Sequence, residues 1–226
     1  MKYKYEDILD KVQQDGTNLR KLSKKYRDNF DIVLAAVEQN GFALKYASDR
    51  LKDDETIVEK AITGSTDFTS PQISISCVNG NNIQYASNRL KDDYNMAFKA
   101  VSNFGGALKD VSDNLKNNKN IVIAALNEYK GALYYASPSL KDDREFVLQL
   151  ANNYMIRLDD ISKRLRDDKE IVLALVQKDV SNLKDASKRL KDDDDIADIV
   201  HNINPNCICW ASARLQKKYN YVPIYE

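Results

Sequence analysis

The 226 residues carry 34 Lys+Arg against 34 Asp+Glu, so the formal net charge is zero, which speaks against a chain that works by gathering polyanions over its whole surface. Charged residues at 30% and hydrophobic ones at 43% suit a soluble protein with a real core, and no apolar run approaches the roughly 20 residues that span a bilayer. The first six residues, Met1-Lys2-Tyr3-Lys4-Tyr5-Glu6, lack the apolar stretch of a signal peptide, and Cys77, Cys207 and Cys209 make a poor disulfide framework, so the expectation is an intracellular, cytoplasmic protein.

From the N-terminus onward the chain repeats itself. A worn copy at Leu22 to Asn29 is followed by Ala47-Ser48-Asp49-Arg50-Leu51-Lys52-Asp53-Asp54, and then by the same eight positions at Ala86 to Asp93, Val111 to Asn118, Ala136 to Asp143, Ile161 to Asp168 and Ala186 to Asp193. A last worn copy sits at Ala211 to Lys218. The anchor residues Tyr26, Leu51, Leu90, Leu115, Leu140, Leu165, Leu190 and Leu215 are spaced by 25, 39, 25, 25, 25, 25 and 25 residues. A fixed period of this kind predicts a stacked repeat array.

Each repeat has two halves. Ile32-Val33-Leu34-Ala35-Ala36-Val37 and Ile171-Val172-Leu173-Ala174-Leu175-Val176 place apolar residues at i, i+1, i+4 and i+5, one face of a helix. Counted from the anchor, the second half has Leu at −7, Ala at −4, Ser at −3 and Leu at 0, which the same argument reads as a second amphipathic helix. Gly16, Gly41, Gly80, Gly105 and Gly131 lie between the halves, where a left-handed residue closes a helix. Lys-Asp-Asp lies between repeats as a hinge between helix dipoles, with Asp142 or Asp167 as cap and Glu145 or Glu170 three residues later.

Short helices do not persist alone in water. The expected fold is therefore all-α, a right-handed α-solenoid of about eight helix-turn-helix repeats and about sixteen short helices. It forms a single array over residues 1–226, with repeats ending near 29, 54, 93, 118, 143, 168, 193 and 218. An insertion at 63–76 interrupts it. The helix begun at Asp54 should run to about Ile62, followed by a polar loop. Ser70-Pro71 should then open a segment, Gln72 to Val78, that takes the place of the third repeat's first helix. Residues 219–226 form a tail, and Pro205 and Pro223 make regular helix unlikely there.

Candidate chemistry is sparse. The Ser column (Ser23, Ser48, Ser87, Ser112, Ser137, Ser162, Ser187, Ser212) recurs without a neighbouring base, so it reads as structural. Its hydroxyl is expected to bond either the carbonyl four residues back or the neighbouring repeat. Cys207, Cys209 and His201 lack zinc-site spacing, and His201 occupies a slot filled elsewhere by Val37, Val101 and Val176, which suggests a packed imidazole. The acidic run Asp192 to Asp195 has no calcium-loop pattern. Neither a phosphate loop nor a catalytic triad is spelled out, so no cofactor, metal or enzymatic activity is expected.

Two function classes remain. The basic columns Arg50, Arg89, Arg164, Arg189 and Lys52, Lys91, Lys141, Lys191 could line a nucleic-acid-binding array, although carboxylates follow each of them. The preferred reading is a non-catalytic protein–protein interaction scaffold with an unknown protein partner and neither membrane nor small-molecule ligand. Its candidate partner-binding residues come from the −5 column: Tyr46, Tyr85, Tyr135 and Trp210, alternating with Lys21, Asp110, Asp160 and Asp185. On a helix this column would project roughly opposite the core stripe.

The run Asp-x-Ile-Val-Leu-Ala-Ala-Val-x-x-Asn-Gly-x-Ala-Leu-x-Tyr-Ala-Ser-x-x-Leu-Lys-Asp-Asp, seen at Asp31 to Asp54, resembles the repeats of the domain of unknown function 4116 family. The insertion, the Lys217-Lys218 ending and the worn first repeat depart from that pattern. The resemblance implies a repeat architecture and an origin among large DNA viruses, protists or intracellular bacteria. It carries no catalytic residues across.

Overall fold

A computed structural model describes residues 5–63 and 79–221, and among them every regular element is an α-helix or a 3-10 helix. The Ser70-Pro71 turn, the Gln72–Val78 segment, Cys77 and the end of the tail lie outside the described residues. The chain divides into two compact units, residues 1–135 and 136–226.

Within each unit the repeat begins with one α-helix of nine or ten residues: Phe30–Gln39, Glu55–Thr63, Tyr94–Asn103 and Lys119–Glu128 in the first, Arg144–Asn153, Lys169–Lys178 and Asp194–Ile203 in the second. The predicted stripe is the buried one. Ile32, Val33, Ala36 and Val37 have no exposed surface, and Ile171, Val172, Leu175 and Val176 repeat the pattern. Each fully buried Ile or Leu is worth roughly 1.5–3 kcal/mol against solvent exposure, which holds together helices too short to stand alone.

Capping residues start these helices. The side chain of Asp54 accepts the Ile57 N–H at 3.1 Å, Asp93 that of Met96 at 2.8 Å and Asp143 that of Phe146 at 3.0 Å. The cap is thus the second Asp of each pair, Asp143 and Asp168, and not Asp142 or Asp167 as the spacing to Glu145 and Glu170 suggested. The first Asp has a different task, described below.

The second half of the repeat departs from the single helix expected. It is a 3-10 turn, Gly41–Tyr46, then two extended residues, Ala47 and Ser48, then a one-turn helix, Asp49–Lys52. The break falls at Ser48 (φ −65°, ψ 159°), whose hydroxyl accepts the Leu51 N–H at 3.3 Å as an N-cap. Leu44, Ala47 and Leu51 are all buried, so the 0, 3, 4, 7 spacing marked core positions correctly while the backbone between them is not helical. Later repeats tighten the last piece to 3-10 geometry, at Leu165–Asp167 and Leu190–Asp192.

The glycines between the halves are not left-handed, since no glycine among the described residues has positive φ. Gly16, Gly41 and Gly105 are there for close approach. A Cβ on Gly16, Gly41 or Gly105 would stand 2.2 Å from the carbonyl oxygen of Ala36, Ala61 or Ala125 in the next repeat's long helix. The long helix instead ends where the chain extends at Asn40 (φ −152°, ψ 107°), whose side chain accepts the Phe42 N–H at 3.0 Å and starts the 3-10 turn.

In the third repeat the turn Asn79–Tyr85 packs on Glu55–Thr63, and Asn82, itself buried, donates to the Ala61 carbonyl at 2.9 Å. In the second unit Asn182 likewise donates to the Leu175 carbonyl of its own repeat's long helix. Glu55–Thr63 is therefore the third repeat's first helix, and no replacement is needed. The extra residues fall after it, ahead of the 3-10 turn.

Candidate functional site

The residues that recur from copy to copy meet one another. Ser48 Oγ donates to Asp28 Oδ1 at 2.5 Å, Arg50 Nε donates to the same oxygen at 3.0 Å, and Arg50 Nη2 reaches the Asp28 carbonyl at 2.7 Å. The Ser48 backbone N–H adds a bond to the Arg27 carbonyl at 2.9 Å. The same clamp joins Ser87 and Arg89 to Asp53, Ser162 and Arg164 to Asp142, Ser187 and Arg189 to Asp167, and Ser212 and Arg214 to Asp192. In the copy at Ser112 the acceptor is Asp92, and Asn114 replaces the arginine at 3.4 Å. Of the two hydrogen bonds expected for the Ser hydroxyl, the inter-repeat one forms at Ser48, Ser87, Ser112, Ser162, Ser187 and Ser212. The hydroxyl and the guanidinium hold Asp28, Asp53, Asp142, Asp167 and Asp192 below the usual carboxylate range.

The +1 column turns inward as well. Arg166 donates to the Asp159 carbonyl at 2.8 Å, Lys191 to that of Lys184 at 2.5 Å, and Gln216 to those of Cys209 and Ala211 at 3.0 and 2.9 Å. These long side chains satisfy carbonyls that a short 3-10 turn leaves open. In the −5 column burial pushes the carboxyls of Asp110 and Asp160 above the ordinary value.

Tyr46, Tyr85, Tyr135 and Trp210 are all half-buried at the ends of 3-10 turns, and so do not stand opposite a helical core stripe. Tyr46 and Tyr85 are brought together by Phe42, whose ring meets theirs edge-on at centroid distances of 5.8 and 5.5 Å. Lys45 Nζ lies 5.3 Å from the Phe42 ring centre and 6.0 Å from each tyrosine, within cation–π range. Tyr135 packs edge-on against Tyr134, which is 67% exposed. Trp210 ends the Pro205–Trp210 turn in the second unit.

Sequence reasoning passed over Phe42, the centre of the cluster, because it stands at −9, a position that carries no periodic signal. It also passed over Tyr94 and Phe98, stacked at 6.1 Å on one exposed helix face. Their i, i+4 spacing off the buried stripe was the available clue. His201 is half-buried, unlike the fully buried valines of its column, and stacks on Tyr219 at 4.5 Å, while Tyr219 donates to Asp198. Among the described residues no group of three His, Cys, Asp or Glu side chains is arranged to hold a metal, and no helix is long and apolar enough to cross a membrane.

A family model described as "Domain of unknown function (DUF4116)" matches the chain in overlapping windows, at residues 5–49, 29–66, 77–116, 94–141, 118–166, 143–191 and 168–216. No curated protein and no solved structure matches.

Proposed function

The chain belongs to the DUF4116 family, and from that premise we propose that it is a non-catalytic scaffold that presents its repeats to another protein inside the cell. The observation that carries this reading is the fate of the recurring polar residues. Ser187, Arg189 and Asp167 engage one another, as do their counterparts, so the polar groups that recur most are occupied in joining repeats. What varies at the surface is aromatic: Tyr134, Tyr94 and Phe98, beside the half-buried Tyr46, Tyr85, Tyr135 and Trp210. Aromatic side chains contribute disproportionately to protein interfaces. A cytoplasmic setting suits the free thiols of Cys207 and Cys209.

The nucleic-acid reading has less support, because the arginines at −1 already hold carboxylates. The test is retention of native-cell proteins on the tagged chain, identified by mass spectrometry, beside titration with random RNA and DNA at low and moderate salt. Defined protein partners with no steep salt-dependent nucleic-acid binding are expected. Nucleic-acid binding that falls steeply with salt, with no protein retained, overturns the reading.

A further inference from the structure

Phe42 is a ring that the repeat does not require. In the other copies the position nine residues before the anchor holds small, polar or aliphatic residues such as Thr17, Gly106 and Ile156, and only the second copy places an aromatic there. The Phe42 plane stands at 79° to the Tyr46 ring and at 87° to the Tyr85 ring, so it is nearly square to both. All three rings are half-buried and lie in the first compact unit. Lys45 fills the space they define, with Nζ 5.3 Å from the Phe42 centre and 6.0 Å from each tyrosine.

Other lysines of the same column rest on carboxylates. Lys109 and Lys184 stand 3.9 and 4.0 Å from the acidic residue that follows each, Asp110 and Asp185. After Lys45 the following residue is Tyr46, and among the described residues Lys45 forms no ion pair. Rings hold this cation, and because Lys45 is exposed its head can return to water. The distances suit a bulkier cation than the one in place. A methyl carbon rests about 3.5–4.0 Å from other carbons and stands about 1.5 Å from its own nitrogen. A trimethylammonium aiming one methyl at each of three rings thus holds its nitrogen about 5–5.5 Å from each, close to where Lys45 Nζ lies. A bare ammonium leaves that gap partly empty, and it gives up strong hydration to enter. An unmodified lysine from outside would only exchange with Lys45 like for like. A methylated one carries the same charge, loses less hydration and fills the gap.

We propose that Phe42, Tyr46 and Tyr85 form an aromatic cage for a trimethylated lysine of a protein partner, with Lys45 as its displaceable occupant. The negative ring faces attract the quaternary ammonium, and the rings contact its methyl groups. Lys45 keeps the cage filled until that ligand arrives, so binding is set by the difference between the two cations. The proposal rests on the scaffold reading and narrows it to one cage and one chemistry.

The probe is a short labelled peptide with one trimethyllysine, titrated against the full chain by fluorescence anisotropy. Two twins carry unmodified lysine or the uncharged tert-butyl isostere, and phosphatidylcholine vesicles supply the same cation from a lipid. The trimethyllysine peptide should bind about tenfold or more tightly than either twin. Phe42→Leu keeps apolar bulk but removes the ring face, and should weaken that peptide by about tenfold or more. Lys45→Ala removes the competing occupant and should tighten binding by about threefold or more, a gain that a purely structural cluster would not give. Lys163→Ala removes the same charge from an exposed site elsewhere and should change nothing. Helical content and urea midpoint are measured on each variant; if Phe42→Leu does not fold, the Lys45→Ala gain and the preference over the twins decide. No binding of the trimethyllysine peptide, equal binding of either twin, no gain with Lys45→Ala or tighter binding of the vesicles each overturns the proposal. Native partners retained in full by a folded Phe42→Leu variant refute the cage and leave the scaffold reading standing; a parent chain that retains no protein refutes the scaffold itself.

Discussion

Ser187 Oγ donates a hydrogen bond to Asp167 Oδ1 while accepting one from the Leu190 N–H, so one hydroxyl both starts a helical turn and ties it to the preceding repeat. Arg189 closes the arrangement from the other side, with Nε 3.1 Å from the same carboxylate oxygen and Nη2 2.6 Å from the Asp167 carbonyl. The clamp is two-sided because it engages the side chain and the backbone of one aspartate together. Sliding one repeat against the next would break both at once.

Ser187→Val should therefore destabilise the fold by about 1–2 kcal/mol, through loss of an N-cap and of a hydrogen bond to a charged group. Ser187→Thr keeps the hydroxyl and should recover most of the loss. Asp167→Ala should cost less than Ser187→Val, because the pair is half exposed and screened by water. Urea melts check all three. A Ser187→Val midpoint equal to that of the parent chain would mean that the hydroxyl contributes nothing to holding the repeats together.

The clamps also set the response to acid. The hydroxyl bonds and guanidinium partners hold the carboxyls of Asp28, Asp53, Asp142, Asp167 and Asp192 below the usual carboxylate range. A carboxyl with a depressed folded-state value contributes stability that is present above its unfolded value and lost as pH falls through the folded one. Stability should hold at mildly acidic pH and decline below about pH 4. Asp160 works in the opposite sense, since burial raises its carboxyl and its ionisation costs stability as pH rises through the raised value. Asp160→Asn should thus raise the thermal midpoint at neutral pH, and the gain should shrink in acid. Thermal melts across the acid range check both signs.

Much of this was legible in the sequence. The period, the buried stripe of each long helix and the positions of Leu44, Ala47 and Leu51 follow from apolar spacing alone. The broken second half did not, because buried residues at 0, 3, 4 and 7 suit a helix as well as a 3-10 turn followed by a capped turn. The clue was Ser at −3, which is a mediocre helix residue and a strong N-cap. The pairing of Ser48 with Asp28 across 20 residues has no local signature at all. It depends on how repeats stack, and the Asp pair offered two candidate caps of which only packing chose one. The candidate aromatics were visible as a column, but their meeting through Phe42 was not.

The glycines provide a test of close packing apart from backbone freedom. Gly41→Ala and Gly105→Ala should destabilise by about 1–3 kcal/mol or more, since the new methyl meets a helix carbonyl that cannot withdraw without moving its repeat. Gly131→Ala meets only the ring end of Tyr129, an exposed side chain able to rotate away, and should be close to neutral. If all three behaved alike, the glycines would be serving the chain's flexibility and not its stacking. Urea midpoints again decide.

The aromatics divide by how much of each ring the fold already uses. Tyr85 packs edge-on against Phe42 of the preceding repeat, so Tyr85→Ala should lower stability by about 1 kcal/mol through lost ring packing, and weaken partner binding as well. Tyr134 is 67% exposed and Phe98 42%, so their removal takes less from the folded state. Tyr134→Ala and Phe98→Ala should leave the urea midpoint nearly unchanged while reducing retention of the native partner. Trp210→Ala, half-buried in the second unit, should fall between the two groups on both measures. Parallel measurement of midpoint and partner retention separates packing from recognition for each ring. If Tyr134→Ala and Phe98→Ala leave retention untouched while Tyr85→Ala abolishes it, recognition centres on the Phe42 cluster and the exposed rings are surface without a role in binding.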